Sequence, residues 1–418
     1  MSVGSAPAHV AIVGAGMVGL SAAWFLQERG VGVTVVDRTG VAAGSSWGNA
    51  GMLNPAFTLP LAEPSILRYG IASLFDRSSP VAIPPTVDRR LWAFLIAFAR
   101  QCTNRRWERA MEVFTEVNRV SLDAYDQLSD AGVTAPVRDA APFVAACGTD
   151  EDRRHLIEEF EKVAAAGGEV SYETVSGDEL RALEPILSTE NRTGVLVHGQ
   201  RFINPPEMTH AMADAVQARG GTVRTGVEVT GVRDLGARGA ELTCRNGEPI
   251  HADAVVLSTG AWLNGLARPF GVRTVVQAGR GYSFSVEPED MPTHPIYLAG
   301  RRVACNPLGD RFRVTGMMEF RPADAKLDPR RVRTIIDAAR PMFRGVDWTA
   351  RRDEWVGSRP CTADGLPLVG TTRSPRVHVS GGHGMWGMVL GPLTGKLLAE
   401  SVATGRTPPL MRHFDPLR

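Results

Sequence analysis

The sequence predicts an α/β protein in which a Rossmann-like domain is interrupted by an α+β domain dominated by an antiparallel sheet. Three patterns predict it: a complete strand, turn, helix and strand unit from His9, a long strand-rich middle, and a closing strand, glycine turn and helix. At 418 residues the chain can bury two substantial cores, and its 44% apolar and 22% charged residues are those of a globular protein. A formal net charge of +1 gives no overall attraction to polyanions, so a nucleic-acid partner is not expected.

Taken in order, "HVAIVGAGMVGLSAAWFLQERGVGVTVVDR" reads as a buried strand, a glycine turn, a helix and a second strand ending at Asp37. The glycine-, serine- and proline-rich segment from Gly40 to about Pro64 reads as an extended loop. Helical patterns follow from about Arg89 to Ala131 and from Asp150 to Ala166. After the helix "PPEMTHAMADAVQARGG" come "TVRTGVEVTGVRD", "GAELTCRNG" and "ADAVVLSTGAW", which alternate like a hairpin and end in an apolar strand. Strands dominate from Val272 to about Phe320, before the helix "DPRRVRTIIDAAR", the segment "DEWVGSRPCTADGLPLVG", the strand "RVHVSGG" and the closing helix. The nucleotide-binding domain is therefore assigned to residues 8–60, 200–268 and 351–418, and the interrupting, substrate-binding domain to 61–199 and 269–350.

Five cysteines lie far apart without a CxxC pair, so reduced structural thiols and no metal site are expected. The opening "MSVGSAPAHVAIVG" lacks a leader pattern, and no apolar run reaches the roughly 18 residues a transmembrane helix needs. A cytoplasmic protein is expected. "LWAFLIAFAR" from Leu91 reads first as a core helix, with a membrane foot as the alternative.

Gly14, Gly16 and Gly19 form GxGxxG between strand and helix, with Met17 and Val18 opening the helix; such a turn brings backbone amides against a pyrophosphate. Asp37 has the spacing of a carboxylate that accepts ribose hydroxyls, and Arg38 follows it. An acid there argues against a 2′-phosphate. A pyridine-nucleotide enzyme would continue with alternating strands and helices. Here "GVAAGSSWGNAGMLNPAF" follows instead: Ser45 and Ser46 offer hydroxyls to phosphate, and Asn49, Ala50, Gly51 and Met52 offer backbone to a flat ring.

The ordered occurrence of "VVDRTGVAAGSSWGNAGMLNP", "ADAVVLSTGAW", "GRGYSFSV", "WVGSRPCTADGLPLVG" and "SGGHGMWGM" resembles the FAD-dependent D-amino-acid dehydrogenases of the D-amino-acid oxidase and glycine oxidase superfamily, over nearly the whole chain. The resemblance implies noncovalent FAD across the first unit, with Asp37 on ribose and the 45–52 loop along phosphates and flavin. It also implies Val229 at the adenine edge and Gly260 and Trp262 against the cofactor. Arg359 matches the arginine that grips a substrate carboxylate, a task for which a guanidinium fork is well shaped; an ordinary structural ion pair is the alternative. Tyr282 matches a tyrosine near that carboxylate or at the active-site entrance, with a half-buried strand tyrosine as the alternative. In "SGGHGMWGM", Gly382, Gly384, Met385, Gly387 and Met388 are expected against the flavin, and His383 as a lining residue rather than a base.

Two positions depart from the family. Pro307 or a neighbour stands where several relatives carry a second arginine, and Cys361 lies too close behind Arg359 to be the cysteine that links flavin covalently in sarcosine-oxidase relatives. The implied reaction is transfer of the Cα hydride of a D-amino acid, or of an imino acid such as D-proline or D-hydroxyproline, to flavin N5. An imino acid results, then a 2-oxo acid and ammonia. A quinone or respiratory chain is the implied electron acceptor, requiring transient contact with the inner face of a membrane. Two alternatives stand beside it: an oxygen-using oxidase of glycine, sarcosine or another small amine, and a flavin-binding subunit without independent turnover. The only lysines are Lys162, Lys326 and Lys396, none in an evident active-site strand to assist oxygen, which favours the dehydrogenase.

Overall fold

The computed structural model describes residues 6–64, 81–84 and 86–418; residues 65–80, part of the expected substrate-binding segment, lie outside the described residues. The first strand, His9–Val13, is the centre of the molecule's nucleotide-binding half. It pairs in parallel with Gly32–Asp37 on one side and with Ala254–Leu257 on the other. Thr222–Thr225 and Val377–Gly381 extend the sheet in parallel, and Leu368–Thr371 adds an antiparallel edge, for six strands in all. The near-continuous apolar strands follow from burial on both faces: Val10, Ala11, Ile12, Val255 and Val256 are wholly buried.

One face of this sheet is covered by the opening helix Met17–Gln27, flanked by Pro205–Ala218 and by the closing helix Gly387–Thr404. The opening and closing helices pack closely because Gly395 lacks a side chain: a Cβ there would lie 2.8 Å from Ala22 N. The closing helix carries Pro392 in its interior. A proline has no N–H to donate to the carbonyl four residues back, here that of Met388. The Tyr125 hydroxyl, wholly buried, donates to that carbonyl instead, at 2.7 Å. A sequence feature that ordinarily breaks a helix is thus repaired from another helix, Asp123–Asp130.

The interrupting half is built on a nine-stranded sheet. Its central strands, Gln277–Val286, Arg311–Phe320 and Val303–Leu308, are antiparallel, and Arg352–Cys361 closes one edge by pairing with Gln277–Val286. The sheet is not purely antiparallel: Ile296–Leu298 runs parallel to Phe143–Cys147, and Val81–Ala82 parallel to Arg311–Phe320. The helix Pro329–Ala339 packs its apolar residues Val332, Ile335 and Ile336 on one face of this sheet. The boundary expected at residue 351 differs from sheet membership, which carries residues 352–361 into the larger sheet; the chain returns to the six-stranded sheet only at Leu368. The segment "DEWVGSRPC" contains glycine and proline, so its pairing could not be read from local pattern.

Loss of the Tyr125 hydroxyl leaves the Met388 carbonyl buried without a donor. Tyr125→Phe is therefore expected to lower unfolding free energy by about 1–3 kcal/mol, read by denaturant melts, whereas Tyr172→Phe at a partly exposed strand position changes it little.

Candidate active site

A single cavity of about 1140 Å³ runs between the two sheets, bordered by the glycine turn at one end and by Arg359, His383 and the closing helix at the other. At the glycine turn, Gly14 adopts φ +117° and a Cβ on it would fall 2.4 Å from Ser258 O. A Cβ on Gly19 would fall 2.0 Å from Gly14 O, so the helix reaches the turn only without one. Gly16 caps the opening helix with no side-chain bond and no acid in the first turn. Backbone N–H groups at a helix start form an anion cradle.

Asp37 borders the cavity, and its carboxylate accepts from the amides of Ala15 at 3.0 Å, Thr39 at 2.8 Å and Gly40 at 3.1 Å. It therefore fixes the loop around the glycine turn as well as facing the cavity. Beyond it, Arg38 stacks on Trp262 at 4.0 Å, and both approach Asp324. Val229 borders the same end, beside Glu228 and Arg245, which pair with each other at 2.6 Å and which the sequence reading did not select. Their signal was weak, since charges near strand ends are usually solvated.

The two serines diverge. Ser46 Oγ accepts from Met17 N at 3.1 Å, and Ser46 lines the cavity. Ser45 instead donates to Ser358 O at 2.5 Å, so its hydroxyl is spent on the strand Arg352–Cys361 rather than left for a phosphate. Asn49, Ala50 and Met52 line the cavity but Gly51 does not. Gly51, at φ +77°, is held against Ile203, whose carbonyl would lie 2.1 Å from a Cβ. Gly382 is corrected likewise: it has φ +71°, faces Thr362 and Leu368, and is absent from the lining. Gly260, Gly384, Met385, Gly387 and Met388 do line it. The closing helix begins behind them, again with no side-chain cap and no acid in its first turn.

Arg359 stands on the strand Arg352–Cys361 opposite Gly279, and its guanidinium lies over Gly281, where a Cβ would be 2.4 Å from Nη2. Nη1 donates to Met317 O at 2.7 Å. Among the described residues no carboxylate pairs with it, and burial lowers its pKa. The ion-pair alternative for Arg359 is therefore not what the described residues form.

Tyr282 borders the cavity, but its hydroxyl is engaged elsewhere. Side chains alternate across a strand, and Tyr282 has the opposite parity to Gly279 and Gly281, beneath Arg359. Its ring packs with Phe284 and Ile335 behind the sheet. Its hydroxyl donates to Glu319 at 2.6 Å, inside a wholly buried pair of Glu319 with Arg280. Tyr282 touches the cavity wall but holds no hydroxyl toward it.

His383 is buried and lines the cavity. Thr394 Oγ1 donates to Gly391 O at 3.1 Å, so it accepts from His383 Nε2 at 2.9 Å. Burial pushes the imidazole down to about 3, which leaves it neutral at ordinary pH. A neutral, hydrogen-bonded ring fits a lining residue rather than a base. Pro307 is buried within the strand Val303–Leu308, and the arginine from this hairpin that borders the cavity is Arg302, at φ +53° just ahead of it. Neither Cys361 nor another cysteine lines the cavity. No group of potential metal ligands is found among the described residues.

Two further lobes escaped the sequence reading because their residues are distant in the chain. Phe57, Phe143 and Tyr297 form an aromatic wall, with ring centroids 5.1 and 5.8 Å from Phe57, beside Glu159, whose pKa burial raises. Leu61, Val81, Ile83, Leu95 and Phe98 form an apolar lobe under the helix Arg89–Gln101.

A family model described as DAO, FAD dependent oxidoreductase, matches residues 9–401. The chain is 29% identical over 409 residues to a D-amino acid dehydrogenase of Xanthobacter autotrophicus, covering 96% of both chains. Among solved structures it is similar to a glycine oxidase from Geobacillus kaustophilus, with TM-score 0.72, 19% identity and 98% of both chains covered. It is also similar to an L-proline dehydrogenase from P. horikoshii, with TM-score 0.72 and 16% identity over 99% of this chain and 98% of that one. At such identities these structures speak for the fold.

Tyr282→Phe strands part of the buried Glu319 charge and is expected to cost about 1–3 kcal/mol of stability while leaving substrate KM within about twofold; a large KM change with unchanged melting would return the tyrosine to the substrate. His378, like His383, is buried neutral, at about 4. Both bind protons more tightly unfolded, so stability is complete above about pH 6.5 and falls as pH drops toward 4. His383→Gln is expected to make thermal melts between pH 6.5 and 4.5 less steep.

Proposed function

The chain belongs to the DAO family of FAD-dependent oxidoreductases, and we propose that it oxidises the Cα–N bond of a D-amino acid or a cyclic imino acid such as D-proline or D-hydroxyproline. The observation that carries this reading is Arg359: a guanidinium facing the cavity with no acid partner among the described residues. It has the shape and charge to hold a substrate carboxylate bidentately. The D-amino acid dehydrogenase name of a relative that spans 96% of the chain supports it.

The residues fit FAD, held noncovalently: a Cβ-free cradle at Gly14 and Gly19, two helix starts without caps or acids, and a cavity long enough to join them. The opening helix and Ser46 would hold the diphosphate, Asp37 the ribose, and Gly384 to Met388 the pyrimidine edge. When bound, FAD supplies the two-electron acceptor for the substrate's Cα hydride. Arg359 fixes the carboxylate and so the direction in which Cα–H points, and alignment of this kind supplies much of the barrier reduction in such transfers. The amides opening the closing helix present positive potential where negative charge develops. His383, neutral, adds no charge to the site, and the substrate reacts through its uncharged amine. From a D-amino acid the product imine is hydrolysed by water to a 2-oxo acid and ammonia; from a cyclic imino acid the product is a ring imine that keeps its nitrogen. A quinone or respiratory chain is the proposed acceptor, supported by the apolar lobe under Arg89–Gln101.

Anaerobic addition of D-amino acids, D-proline or D-hydroxyproline to the yellow protein is expected to bleach its flavin absorbance, whereas L-enantiomers leave it. Arg359→Ala should lower kcat/KM for such substrates by about 10²-fold or more, chiefly through KM. Equal bleaching by the variant, or bleaching by amines without a carboxylate alone, would sink the assignment.

A further inference from the structure

On the cavity face of the larger sheet, Ser283, Thr315 and Ala304 stand opposite one another on three adjacent strands, and Ser285, Arg313 and Asn306 form the next row. Thr315 and Ala304 line the cavity. Two residues before Thr315, and so on the same face, Arg313 is buried to 1% exposure. Its Nε donates to the Ser285 hydroxyl at 3.2 Å and its Nη1 to the Ser283 hydroxyl at 3.4 Å. Among the described residues no carboxylate pairs with it: Asp353, the acid whose charge it feels, accepts from Arg311 at 2.5 Å instead. Burial pushes the guanidinium down to about 10, which still leaves it charged at neutral pH. A buried cation without an ion pair is costly, and Arg313 does not itself border the cavity.

The loop 45–52 roofs this row. The Arg313 guanidinium lies over the Trp47 ring, 4.8 Å from its centroid, and Asn306 Nδ2 donates to Ala50 O at 2.7 Å. Trp47 in turn meets Trp355, with ring centroids 6.4 Å apart. Trp355 has room only because two glycines flank it: a Cβ on Gly48 would fall 2.0 Å from its ring, and one on Gly357 1.8 Å. Gly48, Asn49, Ala50 and Met52 line the cavity on the other side of the same loop. The charge therefore sits behind the segment whose backbone faces the cofactor.

We propose that Arg313 is a positioning charge behind the flavin loop, and that it raises the reduction potential of the bound flavin. Arrival of a hydride adds one negative charge to the flavin, and a cation fixed in a dry wall nearby favours that charged product. Ser283 and Ser285 suit this use, because hydroxyls hold the guanidinium in place without cancelling its charge as a carboxylate would. A unit charge acting across roughly 10 Å at an effective dielectric of about 20 shifts such an equilibrium on the order of tenfold. The inference rests on FAD binding and not on which amino acid is oxidised.

The test is the two-electron midpoint potential of the FAD-loaded protein, poised anaerobically against reference dyes with no amino acid present. Arg313→Gln is expected to lower the ratio of reduced to oxidised flavin at a fixed poise about tenfold, or ~30 mV. Arg313→Lys, which keeps the charge, is expected to stay within about threefold of the wild type. Ser285→Asp leaves the arginine in place and neutralises it; it should lower the ratio by a similar factor, and it carries the test if Arg313→Gln does not fold. An unchanged potential in either folded neutralising variant would overturn the proposal. So would equal lowering by the Lys and Gln variants, which would assign the effect to packing of the loop against Trp47. A potential that shifts as expected, in a protein whose flavin no D-amino acid bleaches, would count against the substrate reading alone.

Discussion

Positive potential without a negative partner is the constraint around which this molecule is built. Two helix starts and one guanidinium converge on the same cavity; neither helix has an acid in its first turn, and among the described residues no carboxylate pairs with Arg359. Leaving such groups desolvated is unfavourable, so the surrounding structure has to hold them there. The opening helix is fixed by Gly19 against Gly14, and Met17 by Ser46. The closing helix is fixed by Tyr125 at Met388, and its glycine loop by Gly384 N donating to Pro360 O, next to Arg359. Arg359 in turn has room only because Gly281 has no side chain.

That last set of contacts couples the two halves. The loop carrying His383 bridges to Cys361, and Ser45 of the nucleotide-binding loop reaches Ser358 on the same strand. Thus the strand that carries Arg359 is bonded to both the glycine loop at His383 and the loop at Ser45 within a few residues of Arg359. A displacement of the strand Arg352–Cys361 would be felt at both loops, which argues for rigidity at the chemical centre. Adaptability, by contrast, belongs to the aromatic lobe, where side chains from distant segments meet and only packing sets their shape.

What was readable in the sequence was local. GxGxxG, Asp37 and the glycine loop at 380–388 lie within short windows, where spacing alone reports geometry, and all but Gly51 and Gly382 of the selected glycines reach the cavity. Those two failed because a glycine can be required by a neighbouring backbone as well as by a guest, and sequence does not distinguish the cases. Tyr282 touches the cavity wall while its hydroxyl is held behind the sheet, because alternation along the strand decides which face a side chain occupies and only the tertiary pairing shows which face is which. Glu228, Arg245, Phe57, Phe143 and Tyr297 were invisible because only the tertiary fold brings them together.

The strand order has a consequence for how this chain comes into being. His9–Val13 is the centre of its sheet, yet one neighbour, Ala254–Leu257, follows most of the way along the chain, and the opening helix is sealed by the last long helix. During synthesis the first strand–helix–strand unit therefore emerges with Ile12, Leu20, Trp24 and Phe25 uncovered, and is not fully sealed until the helix Gly387–Thr404 has been made. That closure leaves the nascent chain dependent on whatever shields apolar surface in the cell, and makes loss of the helix Gly387–Thr404 a defect of the opening unit.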